Sequence, residues 1–126
     1  VDKNSDRRQE QYGFGLAPEL SRLYFITKAF GGQLIDKKGY AAFANSKGLK
    51  GLELIVNQYR QERTSAQPSD VGASNGSEMF GRGQAAMVIE GSWAIPYLKD
   101  TFPKIEFATA EVPKINGKKG TMAYTV

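Results

Sequence analysis

The chain has 126 residues, no cysteine, no histidine and a formal net charge of +4. This length suits one domain of ordinary size, and no apolar run approaches the roughly 20 residues of a membrane-spanning helix. Without cysteine there is no disulfide or thiolate metal site, and without histidine as well the commonest catalytic bases and nucleophiles are missing. An enzyme is therefore not expected.

The first part of the chain predicts a polar arm, a strand and a helix. Residues 1–11 are almost entirely polar and predict a loop, and YGFGL (12–16) predicts a short strand. ELSRLYFITKAF (19–30) predicts a helix that begins near Pro18 and ends at Gly31-Gly32. Apolar spacing gives this helix an inner face made of Leu20, Leu23, Tyr24, Thr27 and Phe30.

The middle of the chain predicts a turn, a second helix and a loop. The turn is centred on residues 36–39, and Asn45 or Ser46 is expected to cap the helix over 46–62. Residues 64–77 are rich in Ser, Gly and Pro and predict a loop. The apolar stripe of the second helix consists of Leu49, Leu52, Ile55, Val56 and Tyr59.

Short elements follow in the last part. SEMFGRG (77–83) predicts a helix capped by Ser77, and the apolar run AAMVIEG (85–91) predicts a strand covered on both sides. SWAIPYLKDTF (92–102) predicts a further helix. Further strands are predicted at 105–113 and 121–126, with an Asn-Gly turn between them.

This order of elements predicts an α/β fold, with a mixed, mainly parallel sheet flanked by helices. Residues 1–126 are expected to form a single domain. A strand that closes the chain without a polar tail also indicates a portion of something longer, whose exposed strand edge could pair with another copy.

The strongest functional signal is the corner between the strand at 85–91 and the helix that follows. Gly91 allows the backbone to turn sharply, and Ser92 can cap the next helix. Trp93 then projects from the carboxyl end of a strand, where open α/β sheets bind ligands. A flat indole at this place suits the apolar face of a sugar ring. The alternative is a tryptophan that merely covers the end of the sheet.

A second candidate group lies at the start of the first helix. Glu19 and Arg22 are one helical turn apart and Tyr24 is close by, so the three side chains could hydrogen-bond several hydroxyls of a ligand. The alternative is a surface ion pair worth about 0.3 kcal/mol beside a buried tyrosine.

The amino-terminal arm has partial calcium-loop spacing. The first, third, fifth and ninth positions of such a loop are occupied by Asp2, Asn4, Asp6 and Glu10. Arg7 replaces the glycine of the sharp turn, and Gly13 stands where the bidentate acid is needed. No metal site and no cofactor is therefore predicted.

Two alternatives belong to other functional classes. The positive charge could make the chain a stand-alone basic α/β module that binds an anionic polymer such as nucleic acid. Its basic residues are scattered and not interleaved with exposed aromatics, so a nucleic-acid partner is not expected. Glu90 and Glu111 could serve a glycosidase if the fold brought them together.

Four segments together resemble the extracellular solute-binding proteins of ABC transporters, closest to the carbohydrate-binding branch that contains the maltose-binding proteins. They are GFGLAPELSRLYFITKAFGGQLID, SKGLKGLELIVNQY, EMFGRGQAAMVIEGSWAIPYL and FATAEVPKINGKKGTMAYTV. The most specific piece is F-x-x-G-x-A-A-M-x-I-x-G-x-W, which runs from Phe80 to Trp93.

The resemblance implies one lobe of a two-lobed periplasmic-binding-protein fold of type II, here the central part of the second lobe. Such proteins close around a solute and deliver it to a membrane permease. They are periplasmic or extracellular, and in some hosts they are lipoproteins. The missing first lobe would supply half of the ligand contacts, so this piece alone is expected to bind sugar with millimolar affinity at best.

Site residues are also implied by the resemblance. The family's sugar-stacking tryptophan falls on Trp93, and its acidic and aromatic helix residues fall on Glu19 and Tyr24. Ser21 and Arg22 stand where maltose-type proteins carry aromatics, and Ser92 replaces a frequent proline. The sugar is therefore expected to differ from maltose, and the sequence does not decide between a sugar, a polyol and glycerol phosphate.

Overall fold

The fold is that of a computed structural model, which describes residues 1–2, 5 and 9–120. Two compact units divide the chain: unit 1 comprises Val1–Pro18 and Gln58–Thr109, and unit 2 comprises Glu19–Asn57 and Ala110–Val126. In chain order the elements are β1 (Tyr12–Gly15), α1 (Leu20–Ala29), α2 (Ser46–Arg60), β2 (Ser65–Ala66), a 3-10 helix (Pro68–Val71), α3 (Gly76–Gly81), β3 (Ala85–Val88) and α4 (Ala94–Thr101).

Unit 1 contains a three-stranded sheet in the order β2-β1-β3, with both pairings parallel. Phe14 of β1 is in register with Ser65 on one side and Met87 on the other. Parallel strands need long crossover connections, and here the crossovers contain helices. The predicted α/β class is thereby confirmed.

Strand β2 lies inside the segment that the sequence predicts as a loop. The Gly13 N–H donates to the Thr64 carbonyl at 2.8 Å, and the Leu16 N–H donates to the Ala66 carbonyl at 2.8 Å. Only two residues form the strand, so no alternation of polar and apolar side chains marks it.

The core of unit 1 is built around Met79, which is fully buried against three alanines, Ala66, Ala73 and Ala85. Gly15 allows this packing. A Cβ at Gly15 would lie 2.8 Å from Val88 Cγ1 and 3.1 Å from Met79 Sδ, so a side chain there would force Val88 and Met79 to shift. The absence of a side chain on the central strand therefore lets α3 lie close to the sheet.

Three details of the last part of the chain differ from the predictions. Strand β3 is not covered on both sides, because Met87 is 61% exposed. Residues 105–113 form no strand. The cap of α3 is Asn75, whose Oδ1 accepts from the Glu78 N–H at 2.9 Å, whereas Ser77 lies buried inside the first turn. The strand predicted at 121–126 lies outside the described residues.

In unit 2, α1 and α2 touch where α2 carries glycine. A Cβ at Gly51 would lie 3.0 Å from the Cα of Thr27, so a side chain at this position would press against the backbone of α1. The predicted apolar faces are accordingly wrong in part, since Leu20, Leu49 and Val56 are exposed. The residues buried on the two helices are Phe25, Ile26, Thr27, Ala29, Gly48, Gly51 and Ile55.

The predicted turns of unit 2 are confirmed. Asp36 Oδ1 accepts from the N–H groups of Lys38 at 2.8 Å and Tyr40 at 3.0 Å, and Gly39 has a positive φ of 87°. Asn116 and Gly117 both have positive φ, as the two central residues of a type I′ hairpin turn require.

None of the helices in the described ranges is both long enough and apolar enough to cross a membrane.

Candidate functional site

The carboxyl ends of the three strands lie at one edge of the sheet, because all strands run in the same direction. From β1 the chain continues to β2, which lies on one side of β1. From β2 it crosses over to β3, which lies on the other side of β1. This reversal makes the end of β1 a switch point, the place where open α/β sheets leave a crevice for a ligand. The residues that follow the strands at this edge begin with Leu16, Gln67 and Ile89.

Trp93 follows β3 at this edge and is 42% exposed. A Cβ at Gly91 would overlap ring atoms Cζ3, Cη2 and Cε3 of Trp93, so the benzo part of the indole rests directly on the glycine backbone. Any larger residue at position 91 would displace the ring. The indole is therefore supported by the corner and is partly exposed, in keeping with the prediction that it is not deeply buried.

The predicted capping role of Ser92 is wrong. Helix α4 begins at Ala94, and its cap position is Trp93, whose φ and ψ are already helical and which makes no side-chain cap. The first turn uses backbone carbonyls: Gly91 accepts from the Ala94 N–H at 3.0 Å and Ser92 from the Ile95 N–H at 3.3 Å. The exposed Ser92 side chain is thus not needed to start the helix.

Glu90 lies beside the start of α3. Its Oε1 is 2.6 Å from the place of a Cβ at Gly76, so the carboxylate lies directly against the glycine and would have to move if a side chain were added there. Glu111 belongs to unit 2, where it is exposed and pairs with Lys119. Neither unit contains both carboxylates of the hypothetical glycosidase pair.

The three candidates of the first helix lie together in unit 2. Ser21 joins two of them: its hydroxyl donates to Glu19 Oε2 at 3.4 Å and accepts from Arg22 Nη1 at 3.2 Å. Tyr24 is half-buried, and Lys28 Nζ lies 5.7 Å from the centre of its ring, within cation–π range. Glu19 therefore offers carboxylate acceptors and Arg22 guanidinium donors to a ligand, while the Tyr24 ring already contacts Lys28.

A clamp on the loop before α3 is missing from the sequence predictions. Glu78 Oε2 accepts from the Ser74 N–H at 2.7 Å, and its Oε1 pairs with Arg82 Nη2 at 2.5 Å. Arg82 Nη1 also donates to the Gly72 carbonyl at 3.0 Å. Two sequence signals could have found this clamp: the Asn75-x-x-Glu78 spacing of a capping box and the i,i+4 pair of Glu78 and Arg82.

This clamp gives the first testable prediction. The Ser74 hydrogen bonds, with the Arg82 charge adding to them, hold the pKa of Glu78 below its ordinary value of 4.5. The clamp's contribution is therefore complete above pH 4.5 and is lost as the pH falls through the lowered pKa. We expect Glu78→Gln to reduce the acid sensitivity of unfolding, measured by urea denaturation at a series of pH values.

The matched control is Glu106→Gln, an exposed glutamate in the same unit. It should leave the pH dependence of stability as in the unchanged chain. Equal effects of the two substitutions would contradict the clamp.

No group of three or more His, Cys, Asp or Glu residues in the described part of the chain could hold a metal ion. In the amino-terminal arm, Asp2 Oδ1 accepts from the Ser5 N–H at 2.6 Å. Asn4, Asp6 and Arg7 of the partial calcium loop lie outside the described residues.

A cavity of about 430 Å³ lies at the amino ends of β1 and β2, the opposite edge of the sheet from Trp93. Among the described residues that line it there is no aromatic ring to serve as a platform for a sugar. The lining residues are Val1, Asp2, Gln9, Gln11, Gly13, Glu62, Arg63 and Thr64.

No protein-family model and no curated protein matches the chain by sequence. A solved structure does match: an ABC-transporter solute-binding protein of Thermotoga lettingae TMO, bound with α-D-tagatose. The TM-score is 0.61 and the identity 23%, and the match covers 75% of this chain and 26% of that chain. The chain thus has the fold of part of a solute-binding protein and spans about a quarter of its length.

Proposed function

We propose that the chain is the central part of the second lobe of a carbohydrate-binding protein of an ABC transporter, and that it acts by binding alone. The observation that carries this proposal is the half-exposed indole of Trp93, resting on Gly91 at the carboxyl edge of a parallel sheet. The fold shared with a tagatose-bound solute-binding protein supports it.

In the proposed mechanism, the apolar face of a sugar ring lies on the exposed face of the Trp93 indole. Aromatic side chains provide a large apolar area at low cost in conformational entropy, and a few polar groups then fix the orientation of the ligand. Ser92, next to the indole in unit 1, offers a hydroxyl. Glu19, Arg22 and Tyr24 are proposed as further ligand-binding residues of unit 2, with carboxylate, guanidinium and phenol groups for ligand hydroxyls.

The remaining contacts would come from the first lobe, which is not part of this chain. Closure of a hinge around the solute would complete the site, and the loaded protein would deliver its ligand to a membrane permease. This activity takes place in the periplasm or outside the cell. The guanidinium of Arg22 also suits a phosphate, so glycerol phosphate belongs to the ligand set along with sugars and polyols.

The test is a titration of the ¹⁵N-labelled chain with D-tagatose, maltose, glycerol and glycerol phosphate. We expect one of them to shift the indole N–H of Trp93 and the amide of Gly91, with a dissociation constant in the millimolar range. The Gly91 response should disappear in Trp93→Leu, because the platform is removed.

The control variant is Tyr40→Leu, which replaces an exposed aromatic residue in unit 2 and should leave the titration unchanged. Micromolar binding by the chain alone, or binding that survives Trp93→Leu, would refute the proposed platform.

A further inference from the structure

The positive charge of the chain is concentrated in one of its two units. Unit 2 contains nine lysines and arginines and four acidic residues, a formal charge of +5. Unit 1 contains eight basic and nine acidic residues, a formal charge of −1. The sequence alone suggests scattered charge, whereas the division into units assigns the whole excess to unit 2.

Four lysines of unit 2 lie in the short hairpin that the bridge between Ile35 and Ala41 closes and at the start of α2. All four are exposed, and within the described residues none forms an ion pair. The only acidic residue among them, Asp36, accepts hydrogen bonds from two backbone N–H groups of the turn. The lysines are Lys37, Lys38, Lys47 and Lys50.

Large apolar side chains are exposed along the same stretch. Ile35 is 62% exposed, Tyr40 69% and Phe43 46%. Exposed apolar residues grouped with charges are typical of interaction sites. We call these three residues, together with the four lysines, the hairpin surface.

Hydrogen bonds restrain the backbone of the hairpin and of the start of α2. Asp36 closes the turn, and Ile35 forms an antiparallel bridge with Ala41. Asn45 joins the hairpin to α2, since its Nδ2 donates to the Ala42 carbonyl at 2.7 Å and its Oδ1 accepts from the Lys47 and Gly48 N–H groups at 3.0 Å. Binding therefore requires little ordering of the backbone.

We propose that the hairpin surface binds the anionic headgroup layer of a lipid bilayer. Lysines near such a layer are attracted by its negative potential, and tyrosine and other amphipathic rings settle at headgroup depth. The lysine stems can lie along apolar surface while their ammonium groups reach the phosphates. Tyr40 and Phe43 lie among these lysines, so the expectation that the basic residues are not interleaved with exposed aromatics is wrong for this stretch. A bilayer is favoured over a single-stranded nucleic acid because it also accommodates Ile35, which has no ring on which a base could stack.

This proposal uses only unit 2 and does not depend on the ligand site of Trp93.

It is tested by sedimentation of the whole chain with vesicles of phosphatidylcholine alone and with added phosphatidylglycerol. We expect binding only to the anionic vesicles, and binding that weakens as salt is added. The double variant Lys37→Gln/Lys38→Gln should lower the partition coefficient for anionic vesicles about 25-fold, because each lysine near such a surface contributes roughly a factor of five. Tyr40→Ser should lower it without changing the salt dependence.

The matched control is Lys99→Gln/Lys104→Gln, which removes the same charge from exposed positions of unit 1. It should leave vesicle binding unchanged. The proposal is overturned if the control lowers binding as much as the hairpin variant, if anionic vesicles do not bind, or if poly-dT binds in their place.

Discussion

A Gly91→Ala variant is expected to lose its response to sugar while keeping its fold. The new Cβ would occupy the space of the Trp93 ring, so the indole must leave its position on the corner. The conflict involves the far end of a side chain and no backbone atom, so the strand and helix on either side can remain. Tryptophans at the centre of a binding surface contribute 2 kcal/mol or more, which corresponds to a loss of affinity of about thirtyfold. From a millimolar starting point, binding would become undetectable.

The measurement is the shift of the Trp93 indole N–H during titration with the ligand that the unchanged chain binds. Gly13→Ala serves as a control in β1, where the nearest atom to the added Cβ is the Thr64 carbonyl oxygen at 3.3 Å. That variant should retain its sugar response. An unaltered titration of Gly91→Ala would mean that the position of the indole has no part in binding.

A Met79→Ala variant is expected to destabilise unit 1 by about 2–5 kcal/mol, toward the upper end of that range. Met79 has no exposed surface, and its buried neighbours are alanines, which cannot extend into the space that the lost side chain leaves. Since domains of this size are stable by only about 5–15 kcal/mol, the loss removes a large share of the total.

Urea denaturation followed by Trp93 emission measures this loss. Met87→Ala removes the same side chain from a position that is 61% exposed, and it should change the stability by about 0.5 kcal/mol or less. Equal losses in the two variants would contradict the central place of Met79 in the core.

The helices could be predicted from the sequence because their ends carry strong local signals. Helix α1 occupies Leu20–Ala29 where 19–30 was predicted, between Pro18 and the left-handed Gly31. The exposure of Trp93 could be predicted for a similar reason, since a glycine directly before a short polar corner leaves little space for deep burial.

The buried faces and the smallest strand could not be predicted. A prediction based on a hydrophobic stripe assigns the buried face of a helix to its large apolar side chains. Helices α1 and α2, however, touch at Gly51, which has no side chain at all. Strand β2 depends on hydrogen bonds to the backbone of β1, and these are independent of its own side chains. The fit of Glu90 against Gly76 also joins residues that are far apart in sequence.

The position of β1 has a consequence for the order of folding. Of the three strands in the sheet of unit 1 it is the first to be synthesised, yet it needs β2 and β3 as neighbours, and both follow α1 and α2 in the chain. Contacts between residues so distant in sequence form slowly, whereas helices can form while the chain is still growing. We therefore expect a nascent chain in which helical structure precedes the sheet, and in which Val88 is the last residue needed to complete the pairing of β1.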